Sequence, residues 1–87
     1  MLKIYGSDLC PDCLQCKRDL DASGVAYEYL DFAESLLNLK EFLKLRDSLS
    51  IIFEEAKREG YLGIPCIVDS RGIVSLDWSQ YVSQDKA

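Results

Sequence analysis

"SDLCPDCLQCKRDL", residues 7–20, sets Cys10, Cys13 and Cys16 at intervals of three, with Pro11 between the first two. Proline is best tolerated in the first turn of a helix, where its missing N–H would be unpaired in any case, so a helix begins beside Cys10. Ser23 and Gly24 stop it near residue 22, because glycine accepts the positive φ that closes a helix. With about 100° of rotation per residue, Cys13, Cys16 and Leu20 fall on one face, and Asp12, Lys17, Asp19 and Asp21 lie mostly away from it.

Outward from this helix, "LKIY" (2–5) reads as a strand and "GSD" (6–8) as the turn into the cysteines, while "VAYEYLD" (25–31) is β-branched and aromatic, a second strand. Asp31 with Glu34 has capping-box spacing for a helix in "ESLLNLKEFLKLRD" (34–47), with Leu36, Leu39 and Leu43 as its apolar stripe. Ser48 or Ser50 caps a further helical stretch in which Leu49, Ile52, Phe53 and Ala56 recur and Glu54 pairs with Arg58. The middle segment is thus two helices, or one bent at "RDSLS" (46–50).

"IPCIV" (64–68) is a compact apolar strand opened by proline, and "DSRG" (69–72) turns it into "IVSL" (73–76), the second strand of a hairpin. Asp77 and Gln80 cap a last short helix, "WSQYV" (78–82). The order is β-α-β-α(α)-β-β-α, without internal repeat or linker. A parallel βαβ unit plus a hairpin makes a four-stranded mixed sheet with helices on both faces. Residues 1–82 form one domain and 83–87 a polar C-terminal tail.

Eighty-seven residues, with three Phe, five Tyr and one Trp, supply the core of one small domain without cross-links. Fifteen acidic and ten basic residues and no histidine give a formal charge of −5, which offers no electrostatic footprint for nucleic acid or for a membrane surface. No secretory leader and no membrane-span-length apolar run is visible, so the expected location is the cytoplasm. In that reducing compartment the four cysteines are expected to be catalytic, metal-binding or buried rather than permanently bridged.

A cysteine at a helix N-terminus faces unpaired N–H groups and the positive end of the dipole, which favour a thiolate. Cys10 holds that position. Cys13, one turn on and directed inward, is placed to attack a mixed disulfide formed at Cys10 and close a ring. Cys16 and Cys66 read as small buried hydrophobes. The alternative is a non-enzymatic zinc or iron–sulfur binding or carrier module in which all four thiols converge. Lys40, Lys44 and Arg46 form a local basic excess, a surface for an acidic protein partner.

With these residues assembled, the chain resembles the glutaredoxin family of the thioredoxin-like fold over nearly its whole length. "KIYGSDLCPDC" (3–13) looks like the family's first strand and active-site loop, "VAYEYLD" like its second strand and "GIPCIV" (63–68) like its cis-proline strand. The resemblance implies a thiol–disulfide oxidoreductase with Cys10, Cys13, Pro11 and Pro65 at the catalytic centre. It also implies a cis Ile64–Pro65 bond, with Ser7 and the Ile64 backbone at the substrate. It implies no bound cofactor, with glutathione as a possible reductant, and a monomer acting on a protein disulfide or on glutathione.

Two positions depart from the family pattern. Asp12 stands where an aromatic is usual, and "SLDW" (75–78) replaces a glycine pair, leaving Asp77 and Ser79 to hold a substrate amine. Both departures favour a protein disulfide over a glutathione adduct. Asp8 and Asp12 also set two carboxylates close to Cys10, opposing the helix end.

Overall fold

The computed structural model describes residues 1–82; the tail at 83–87 lies outside the described residues. Its elements are β1 (Leu2–Gly6), α1 (Pro11–Ala22), β2 (Tyr27–Asp31), α2 (Leu36–Ser48), α3 (Glu54–Glu59), β3 (Cys66–Val68), β4 (Val74–Ser75) and a closing 3₁₀ turn (Trp78–Tyr81). The sheet runs β2-β1-β3-β4, with β1 and β2 parallel and the other two pairings antiparallel. It is an α/β fold with a four-stranded mixed sheet. Among the described residues no helix is long and apolar enough to cross a membrane.

Alternation along β1 sorts the core into two layers. Leu2 and Ile4 pack with Cys16 and Leu20 of α1 and with Ile67, and the layer is closed by Trp78 and Tyr81. Tyr5 points the other way, to Phe42 of α2, Phe53 and Cys66. The sheet therefore carries helical structure on both faces, α1 and the 3₁₀ turn on one, α2 and α3 on the other.

Helix α1 begins and ends where its sequence signals stand. Pro11 occupies the first turn, and Gly24 closes the far end at φ 70°. Cys13, Cys16 and Leu20 are its buried face.

Helix α2 differs from expectation at its start and in its stripe. Ser35, not Asp31, caps it: the extended Ser35 places its Oγ 3.1 Å from the Leu37 N–H. Asp31 lies too far upstream of Leu36 and instead accepts from the Ala33 N–H at 2.8 Å, closing its own turn. Leu36 and Leu43 are 77% and 40% exposed, whereas Phe42 is fully buried. The inward face is thus rotated to Leu39, Phe42, Leu45 and Leu49, because the bulkiest side chain buries most and sets the helix orientation. Phe42 meets Phe53 edge-on, with 5.8 Å between ring centroids.

The middle segment is two helices. Neither Ser48 nor Ser50 caps the second: Ser48 ends α2, turns fill residues 51–53, and buried Phe53 stands before Glu54 without a side-chain cap. Burial of its ring, not a polar cap, anchors that entry. Arg58 turns to Glu59 at 3.4 Å, not to Glu54. Strand β3 begins at Cys66, since Pro65 has no N–H for a ladder, and β4 shortens to Val74–Ser75. Asp69 organises the hairpin turn by accepting from the Arg71 and Ile73 N–H groups at 2.8 and 3.0 Å.

Candidate active site

The turn after β1 delivers Cys10 to the mouth of α1. Ser7 builds it: its carbonyl accepts from the Cys10 N–H at 3.0 Å and its Oγ from the Leu9 N–H at 3.1 Å. The Ser7 hydroxyl therefore serves the loop. Cys10 is the N-cap residue, extended and half-exposed, and no side chain caps the helix. Its side chain thus stands at the helix end whose first N–H groups lack intrahelical partners.

Cys13 is fully buried one turn later. Burial pushes its thiol up to about 12, and a hydrogen bond to Cys10 further favours the protonated form; the Ser7 backbone opposes both by bonding the sulfur. One thiol is half-exposed and the other is sheltered. The fit is tight, for a Cβ at Gly6 would stand 2.7 Å from the Cys13 Sγ. Only glycine fits at the end of β1.

Cys16 and Cys66 are also fully buried, and burial pushes both thiols up to about 12. They lie in opposite core layers with the sheet between them. The four cysteines do not converge, and among the described residues no three His, Cys, Asp or Glu side chains are grouped as metal ligands.

Behind the cysteine pair lies a cluster that the sequence reading did not assemble. Lys17 binds the Asp8 carboxylate at 2.9 Å, holding Asp8 below the usual carboxylate range. The same ammonium stands 4.0 Å above the Tyr29 ring. The negative charge expected from Asp8 is thus balanced by direct contact with Lys17. Burial, followed by the nearby Cys13, pushes the Tyr29 phenol well above its ordinary range. The only local signal was i,i+7 spacing of Lys17 from Cys10; the position of Tyr29 depends on the parallel pairing that sets it opposite Ile4.

In front of Cys10 opens a cleft of about 700 Å³, walled by Asp12, Tyr61, Leu62 and Ile64 and by Arg46 from α2. Arg46 donates to the Tyr61 carbonyl at 3.3 Å. The cleft continues past Ile64 into a smaller hollow of about 340 Å³ lined by Pro65, Leu76 and Trp78. Ile64–Pro65 is a cis bond. Cys10 and Ile64 are therefore brought to one cleft with Pro65 beside it, and Pro11 sits exposed at the helix entry.

Asp77 and Ser79 do not line either hollow. Asp77 Oδ1 accepts from the Ser79 N–H at 3.0 Å and hydroxyl at 2.7 Å, so the pair closes the 3₁₀ turn. Trp78 is fixed by its indole N–H, which donates to Asp19 at 2.8 Å. Lys40 and Lys44 are exposed on α2, on the element that also carries Arg46.

No family model matches the chain, and no solved structure matches it. A protein of Haemophilus influenzae described as uncharacterized is 42% identical over 77 residues, covering 88% of each chain. The chain belongs to the same family as that Haemophilus influenzae protein.

Proposed function

We propose that this protein is a thiol–disulfide oxidoreductase of the glutaredoxin type, built on a thioredoxin-like fold and acting in the cytoplasm as a monomer. The observation that carries the reading is the asymmetry of the pair: Cys10 half-exposed at a helix entry, Cys13 fully buried one turn on. The β-α-β unit followed by a hairpin, with a cis Ile64–Pro65 bond beside the cysteines, supports the fold assignment.

The Cys10 thiolate attacks one sulfur of a substrate disulfide; a Cys10–substrate bond forms and the substrate's own S–S bond breaks, releasing the first thiolate. Cys13 then loses its proton and attacks the Cys10 sulfur. The intramolecular disulfide forms as the second substrate thiolate leaves. Two electrons pass to the substrate, both leaving thiolates take protons from solvent, and glutathione or another thiol reductant restores the pair.

A protein disulfide is the favoured substrate. The cleft at Cys10 offers Tyr61, Leu62 and Ile64 for an apolar side chain and Arg46 for a carboxylate. The metal-carrier alternative has less support, because Cys66 and Cys16 lie in opposite core layers with the sheet between them. The test is trapping: Cys13→Ser should accumulate a mixed disulfide at Cys10 with a disulfide-bonded peptide, seen as added mass that dithiothreitol removes. A Cys13→Ser protein that forms no adduct contradicts the reading.

A further inference from the structure

Among the described residues, the Tyr29 hydroxyl is the one buried side-chain oxygen or nitrogen without a hydrogen-bond partner. Such a group is a standing cost that phenylalanine would avoid, so its surroundings bear on why it is there. The hydroxyl and the Cys13 sulfur border the same space, 3.2 and 2.7 Å from where a Cβ would sit on Gly6. Asp8 also lies near the hydroxyl, and like the Cys13 sulfur it stands outside hydrogen-bond geometry. Lys17 fixes the ring from above at 4.0 Å.

A protonated thiol is a weak acceptor and leaves the hydroxyl idle, whereas a thiolate is a strong one. We infer that Tyr29 is the hydrogen-bond donor to the Cys13 thiolate that forms when the mixed disulfide at Cys10 is resolved, a role that rests on the oxidoreductase reading above. In that step the Cys13 S–H bond breaks and its proton passes to solvent. The Tyr29 O–H turns to the sulfur, Cys13 bonds to Cys10, and the Cys10–substrate bond breaks with departure of the substrate thiolate. The substrate disulfide is the oxidant throughout. The hydroxyl already borders the sulfur, so a short shift brings it into hydrogen-bond geometry when the charge appears.

The test is the reaction of the full-length protein with an aromatic disulfide whose thiolate is coloured. Cys10 releases the first chromophore and Cys13 the second, in two phases. Tyr29→Phe keeps the ring beneath Lys17 and removes only the donor. It should slow the second phase about 10- to 100-fold relative to the first, the size expected for one charge-assisted hydrogen bond. Site-specific 3-fluorotyrosine at 29, a stronger donor of nearly the same shape, should restore or exceed the wild-type rate. A second phase unchanged in Tyr29→Phe, or equally slow with fluorotyrosine, overturns the inference while leaving the two-cysteine reaction standing. A wild-type protein that releases no chromophore at Cys10 overturns the oxidoreductase reading and this inference with it.

Discussion

Gly6 and Cys13 share a contact that admits no further atom: a Cβ added to Gly6 would meet the Cys13 sulfur at 2.7 Å and the Tyr29 hydroxyl at 3.2 Å. The first neighbour belongs to the helix and the second to the strand beside it, so neither yields without moving an element. Gly6→Ala is expected to destabilise the fold by about 1–3 kcal/mol through overpacking. It should also misplace Cys13 relative to Cys10. Denaturant unfolding checks the first effect and the yield of the intramolecular disulfide the second; an alanine variant of full stability and full yield would contradict the tight fit.

On the other side of the sheet, Phe42 is fully buried and joins α2 to Phe53 and Tyr5. Phe42→Ala is expected to cost about 3–5 kcal/mol, while Leu36→Ala, on an exposed position, should change stability by about 0.5 kcal/mol or less. Urea midpoints of the two variants decide whether the inward stripe of α2 runs through Phe42 or through Leu36.

The buried thiols set an alkaline limit on stability. Cys16 and Cys66 titrate in the unfolded chain near 9.0 but are pushed up to about 12 when folded. Between those values the folded state holds protons that the unfolded state has released, so stability is complete below about pH 9 and falls as pH rises toward 12. A Cys16→Ala, Cys66→Ala double variant should lose less stability over that range, although Cys13, Tyr5 and Tyr27, also raised to about 12, leave a residual slope. Thermal midpoints measured across the range provide the check.

Asp8 acts in the opposite direction. Its carboxyl is held below 3.8 chiefly by the Lys17 hydrogen bond, so its contribution is present above that value and is lost as pH falls through the lower folded one. Lys17→Met should remove this acid limb and free the Tyr29 ring. An acid unfolding curve identical to that of the parent protein would contradict the Asp8–Lys17–Tyr29 arrangement.

The features written in short-range signals were the most legible in the sequence. Pro11 and Gly24 bound α1, and the β-branched and aromatic run in 25–31 and the apolar run in 64–68 mark two of the strands, because a local rule governs each. Cys10, Cys13 and their orientation follow from the same helix. Leu36 and Leu43 misled because a helix with leucines on several sides carries no clear stripe, and the tertiary position of Phe42 decided between them. Tyr29 was not legible for a different reason. Its meeting with Cys13 needs β2 beside β1 in parallel register, a relation between segments that no single segment encodes. Asp77 was legible as a cap, but its partner is Ser79 and not Gln80, since a capping side chain does not name its partner until the turn is seen.

The central claim, that Cys10 and Cys13 form a reversible dithiol, is tested most directly by equilibrating the protein in defined thiol–disulfide buffers and reading intact mass and the cysteines involved. The account predicts one two-electron transition that joins Cys10 to Cys13, disappears in both Cys10→Ser and Cys13→Ser, and leaves Cys16 and Cys66 reduced throughout. A protein that shows no transition over the accessible range, or one whose bridge involves Cys16 or Cys66, would contradict it.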